Sequence, residues 1–215
     1  MAKTLLDVLI DANAYLDLDA TAPTGTELTT RANYANQSVW DASAVAQFRE
    51  FHKIYQVDPA TLASISLPND FRELMVAPRQ LLSNGSWSDP FEPIEPLARF
   101  QKEPADKYVY ILGNPASGYV AVFNALTANA TLSFDYQRFP SGLLTLTDEV
   151  ELSDPTYVTT KVEAYVLESR NNDRFPIVKA EANGKLQNMV GRSMKTTGGG
   201  INTTPRQGAS SYSIG

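Results

Sequence analysis

Apolar residues return every three or four positions at both ends of this chain and every second position in its middle, which predicts helices flanking a β region. Near the start Leu5, Val8, Leu9, Ala12 and Leu16 recur at helical spacing, with Thr4 placed to cap and Asp7 near the positive end of the helix dipole. The spacing predicts a helix from about Thr4 to Leu18, broken by Thr21-Ala22-Pro23-Thr24-Gly25. A second helix starts near Thr26-Glu27, and its apolar positions Leu28, Ala32, Ala35, Val39, Ala42 and Ala46 alternate by four and three. That narrow stripe of mostly small residues lets another helix approach closely, either inside one subunit's core or between subunits.

From about Phe48 the helical period is lost, and prolines at 59, 68, 78, 90, 93, 96, 104, 115 and 140 forbid a long helix. In Thr131–Gln137, Leu132, Phe134 and Tyr136 point one way and polar residues the other, a strand with one wet face. By contrast Tyr108–Leu112 and Tyr119–Phe123 are apolar on both faces and are joined by Gly113-Asn114-Pro115-Ala116-Ser117-Gly118, which reads as a hairpin turn. Such strands are expected to lie centrally or to be covered on both sides. Shorter strand candidates are Ser64–Leu67, Arg72–Val76 and Glu149–Leu152, so roughly 60 to 152 reads as a compact antiparallel β unit.

Helix returns at Ser153-Asp154-Pro155, with Val158, Val162, Tyr165 and Val166 on one face to about Glu168. After Arg170-Asn171-Asn172-Asp173, the set Val178, Ala182, Leu186, Met189 and Val190 predicts a fourth helix ending near Ser193 or Met194. Two N-terminal helices cannot bury their stripes alone, and the C-terminal pair is their natural partner. The expected fold is therefore α+β, a four-helix bundle with an inserted antiparallel β unit and an extended C-terminal arm. Its divisions are N-terminal helices in 1–58, the β insertion in 59–152, C-terminal helices in 153–194 and the arm in 195–215. The arm is rich in glycine and serine, carries Ile201, Tyr212 and Ile214, and holds two cations, Lys195 and Arg206, with no acid.

The 215 residues carry 18 Lys+Arg against 24 Asp+Glu, a formal charge of −6, which leaves no surplus of cations for non-specific grip on nucleic acid. Absence of cysteine removes disulfides, thiolate zinc sites and thiol nucleophiles together. The start Met1-Ala2-Lys3-Thr4-Leu5-Leu6-Asp7 meets an acid at once and no apolar run of membrane length follows, so neither a signal peptide nor a membrane span is expected.

Little in the chain reads as catalytic. His52 is the only histidine, and its neighbours Phe51, Lys53, Ile54 and Tyr55 offer no nucleophile, so a surface or packed role is expected for it. Neither glycine-rich piece, 113–118 or 198–200, has the Gly-Lys-Ser/Thr of a phosphate loop. Among the carboxylates, Asp7 and Asp11 sit four apart with Asp17 and Asp19 beyond, Glu149 and Glu151 share one face of a possible strand, and Glu92 and Glu95 alternate with prolines. The expectation is no enzyme, no metal and no cofactor. Trp87, Phe91, Tyr108, Tyr110 and Tyr119 admit two readings, a sugar-binding platform or ordinary sheet core.

Two helices, a β unit opening with Leu67-Pro68-Asn69-Asp70-Phe71, a strand pair around Tyr108 to Phe123, the strand Leu132 to Tyr136 and two helices after Leu152-Ser153-Asp154-Pro155 form a distinctive order. In that order the chain resembles the head-to-tail adaptor (connector) proteins of tailed double-stranded DNA bacteriophages, of the short-tailed type; Asp41–Ser66 does not follow the family's pattern. The resemblance implies a structural protein of the virion's head–tail junction, assembled in the host cytoplasm. It implies a homo-oligomeric ring of twelve copies that joins portal to tail nozzle and continues the DNA channel, with DNA passing through unbound. It further implies that Lys195, Ile201, Arg206, Tyr212 and Ile214 belong to an arm docking on the portal or a neighbouring subunit. The alternative is a carbohydrate-binding or host-recognition module built on the aromatic β unit.

Overall fold

Thr4 opens the first helix as the sequence requires: its hydroxyl accepts from the Asp7 N–H, and the Asp7 carboxylate accepts from the Thr4 N–H, a reciprocal cap. The structure is a computed structural model and describes residues 2–16, 20–58, 64–128 and 130–196. Helices α1 (Leu5–Tyr15) and α2 (Gly25–Val45) are followed by strands β1 (His52–Val57), β2 (Ser64–Ser66), β3 (Phe71–Leu74), β4 (Arg79–Leu81), β5 (Glu92–Pro93), β6 (Tyr108–Asn114), β7 (Gly118–Phe123) and β8 (Thr131–Arg138). Helices α3 (Thr156–Ser169) and α4 (Phe175–Thr196) close the order, and 3-10 turns occupy Arg49–Phe51 and Pro96–Gln101.

The four-helix bundle expected from the sequence is not what forms. Helix α3 is a hub against which α1, α2 and α4 each pack, while the main packing of α4 is on α3. The reason lies in α3 itself, which buries Tyr157, Val158, Thr159, Thr160, Val162, Glu163, Ala164, Val166 and Leu167, far more of its circumference than one stripe. Small residues Ala35, Ser38 and Ala42 on α2 are fully buried, and the stripe of α2 is core within this chain. Glu149–Leu152 is not a strand either: Glu149 makes one isolated bridge to Thr4, and Val150 and Leu152 sink into the helical core.

Nor is the β part a small insertion. It comprises two four-stranded sheets. In the first, β8 is the spine: β1 pairs along one edge, and β3 and β4 share the other, all antiparallel. The second runs β2-β7-β6-β5, antiparallel except for the short parallel pair β5–β6. Leu132, Phe134 and Tyr136 from the first sheet and Val109, Ala121 and Phe123 from the second belong to one buried cluster, and the Phe71 and Tyr119 rings meet edge-on between the sheets at 5.5 Å. This is a sandwich with alternating strands, in which each inner residue is followed by one on an outer face.

The helical layer joins the sandwich at the end of β8. Gln137 donates to the Ala46 carbonyl, Arg72 donates to the Ser43 carbonyl at 2.7 Å, and Arg138 pairs with Glu151 just before α3.

Candidate interaction surfaces

On the outer face of the first sheet, Ile54, Gln56, Val76, Arg79, Trp87 and Asp135 surround an open groove of about 370 Å³. Register sets its floor: Ile54 lies opposite Asp135, and Gln56 and Arg79 flank Ser133 from the two sides. Trp87 is held over this face by its bridge to Leu81 and stays half exposed. The sole histidine borders the groove, His52 Nε2 lying 3.3 Å from Asp135 Oδ2.

The outer face of the second sheet is different in kind. Tyr110 lies opposite Val122 and Leu112 opposite Val120, with Tyr108 stacked near Tyr110 at 6.5 Å, so five apolar side chains line it. Among the described residues its main cover is the turn Pro96–Gln101, which packs against β6. From that turn Arg99 donates to the Tyr110 hydroxyl at 2.9 Å and lies over the Phe100 and Tyr110 rings. Leu97 is 78% exposed, Phe100 75% and Leu112 44%. Strands β6 and β7, apolar on both faces in the sequence and so expected to lie centrally or to be covered on both sides, are the two central strands of their sheet.

A second cleft of about 240 Å³ lies between α3 and α4 beside the end of α1, lined by Tyr15, Thr160, Glu163, Arg174, Ile177 and Lys185. Lys185 donates to the Thr160 hydroxyl at 2.6 Å, and Arg174 reaches buried Glu163 at 3.4 Å.

Several of the carboxylates singled out in the sequence cap a helix or pair with a cation. Asp7 caps α1, and the hydrogen bonds from Thr4 hold its carboxyl below the ordinary aspartate value. Asp11 pairs with Lys3, Glu92 with Lys102 and Glu151 with Arg138, while the backbone of Glu149 bridges to Thr4. Asp17 and Asp19 lie outside the described residues. A group not anticipated is Asp70, which receives Lys53 at 2.7 Å and the Tyr136 hydroxyl at 2.8 Å. Burial works to raise Asp70, but those two hydrogen bonds and the nearby charges of Lys53 and Arg138 outweigh it and hold the carboxyl low. Burial, with the bond to Asp70, pushes the Tyr136 phenol upward; burial and Asp41 do the same to Tyr165.

Nor do the five aromatic residues share a surface. Phe91 is fully buried against Phe123, Tyr119 turns inward to Phe71, Tyr108 and Tyr110 lie on the outer face of the second sheet, and Trp87 belongs to the groove on the first. The piece Gly113–Gly118 is the β6–β7 hairpin, as its composition predicts. Of the proposed arm residues, Lys195 falls in the last turn of α4, while Ile201, Arg206, Tyr212 and Ile214 lie outside the described residues.

Among the described residues there is no group of three or more metal-ligating side chains and no helix long and apolar enough to cross a membrane. No protein-family model matches the chain, and no curated protein matches it.

Proposed function

We propose that this chain is a structural head-to-tail adaptor of a tailed bacteriophage. In this reading it forms a ring of twelve copies in the virion, joins the portal to the tail nozzle, and continues the DNA channel without catalysis. One observation supports the reading: two helices, a β region that carries Leu67-Pro68-Asn69-Asp70-Phe71 between its second and third strands, and two further helices follow one another along the chain. Large apolar side chains left in water, Leu97, Phe100 and Ile177 among them, suit a subunit that completes its burial in an assembly. A net negative chain also suits a channel along which DNA slides, because like charge supplies few phosphate partners.

Electron microscopy of the chain mixed with its purified portal protein tests this reading. The expected result is a ring capping the portal; a chain that stays monomeric in its presence overturns the proposal. A carbohydrate-binding role would have to divide its rings between two faces, Trp87 on the first sheet and Tyr108 with Tyr110 on the second. A glycan-array signal abolished by Trp87→Ala would favour that role instead.

A further inference from the structure

We propose that the free edge of β1 takes up a further strand, and that its occupant is residues 210–214 of the same chain. An unpaired backbone edge, the place where α4 ends and the pattern of the residues beyond it point there together, whether or not the chain is an adaptor.

Strand β1 lies at the rim of the first sheet, and β8 is its only strand neighbour among the described residues. Its six residues pair with β8 in unbroken register, so alternate residues turn both backbone N–H and C=O away from β8. Among the described residues no hydrogen bond meets those outward groups. Proteins guard such edges with proline, bulges, charges or brevity. Elsewhere the rims are short: β3 has four residues, β2 and β4 three each, and β5 two. Strand β1 has no proline and no bulge, and its Lys53 is turned to Asp70. With Ile54 64% exposed beside it, this rim is an acceptor for an added strand.

The chain's own residues are placed to supply that strand. Ser193, near the end of α4, donates to the Gln47 carbonyl at 3.3 Å, and Gln47 is five residues before His52. The start of β1 therefore lies no more than about 18 Å from that contact. Beyond Thr196, residues 197–209 hold four glycines, and a segment of that length and composition has a root-mean-square span of about 20 Å. A tether whose natural span matches the gap gives the highest effective concentration. That selects the chain's own segment over a second copy or a foreign peptide, because a five-residue strand makes too few contacts to offset the cost of binding untethered. Residues 210–214 read Ser210-Ser211-Tyr212-Ser213-Ile214, free of proline and glycine, with apolar and polar positions alternating over the last four. Laid along β1, Tyr212 and Ile214 come within cross-strand reach of Ile54 and cover it. Tyr55 and Val57, on the other face of β1, already pack on the sandwich core. The other stretch with a large apolar residue, Ile201 to Thr204, has no second apolar position and is cut off by Pro205.

Hydrogen exchange of the full chain, read amide by amide, tests this. Every second amide of β1 is expected to exchange about tenfold or more slowly than in the double variant Tyr212→Pro with Ser213→Pro. One of two adjacent residues always faces the neighbouring strand, so the pair of prolines removes a donor in either register. Equal protection of β8 in both proteins excludes unfolding as the cause. Asn202→Pro is expected to leave β1 protected, and loss of protection in that variant would overturn the assignment to 210–214. Equal exchange of β1 in the full chain and in the double variant would overturn the proposal. Protection that grows with protein concentration would mean that a second copy supplies the strand, and would overturn it as well. None of these outcomes depends on the portal, so this contact and the adaptor reading stand or fall separately.

Discussion

Arg138 and Glu151 meet through two hydrogen bonds, of 2.7 and 3.3 Å, at the point where the last strand of the sandwich hands the chain over to the helical layer. The guanidinium also lies over the Phe51 ring and reaches the Glu50 carbonyl, so one side chain ties three segments together. Both partners are largely out of water, at 11% and 22% exposure, and removal of either leaves a charge poorly solvated. Arg138→Ala is expected to cost about 2 kcal/mol, a fall in Tm of roughly 4–8 °C, measured by thermal and urea unfolding. An unchanged midpoint would show the joint to be held elsewhere.

Asp70 ties stability to acid. Its carboxyl titrates below the ordinary 3.8 in the folded chain, so the folded state binds that proton less readily than the unfolded one. The stabilisation is present in full above the unfolded value and disappears as pH falls through the folded one. Urea unfolding of the chain and of Lys53→Met is expected to show a gap in stability at pH 7 that closes below about pH 4. A gap independent of pH would assign Lys53 a packing role only.

At the start of α1, Thr4→Ala removes a cap that satisfies one otherwise unpaired backbone donor and positions Asp7. A loss of about 1 kcal/mol is expected from chemical denaturation, with Thr4→Ser retaining most of the stability.

The β6–β7 hairpin depends on Gly113 for space as well as for its backbone angle. Its φ is +108°, and a Cβ there would lie 2.1 Å from the Gly118 carbonyl oxygen. Gly113→Ala is expected to cost at least about 2 kcal/mol, whereas Gly85→Ala, at φ +78° with open space around it, is expected to cost about 1 kcal/mol. Equal unfolding midpoints for the two variants would contradict this account.

How far the fold could be read from residues varies along the chain for physical reasons. The helix begun by Thr4, the hairpin at Gly113–Gly118 and the alternating β8 were legible because each is specified by its own neighbours. Strand β1 was not. Its period is scrambled by apolar Ile54 on the outer face and by Lys53 on the opposite one, which reaches Asp70. The bundle was inferred by pairing the apolar stripes of four helices, with Val158, Val162, Tyr165 and Val166 as the stripe of α3; the burial of its polar Thr159, Thr160 and Glu163, which makes α3 a hub, leaves no mark in an apolar period. The groove of Ile54, Arg79 and Trp87 could not be seen for the same reason as β1: it exists only once β1 and β4 have found β8.

That dependence on β8 has a consequence for synthesis. Strands β1, β3 and β4 all emerge from the ribosome before the one strand that pairs with them, and α1 and α2 precede the helix on which they pack. At about 5–20 residues per second, β1 waits on the order of 4–16 s for β8 to be made. Until then Ile54 and Tyr55 have no sheet to join, and the nascent chain is at its most vulnerable to chaperone capture or to proteases. Translation pauses placed between β1 and β8 would lengthen that window, and pauses after α4 would not.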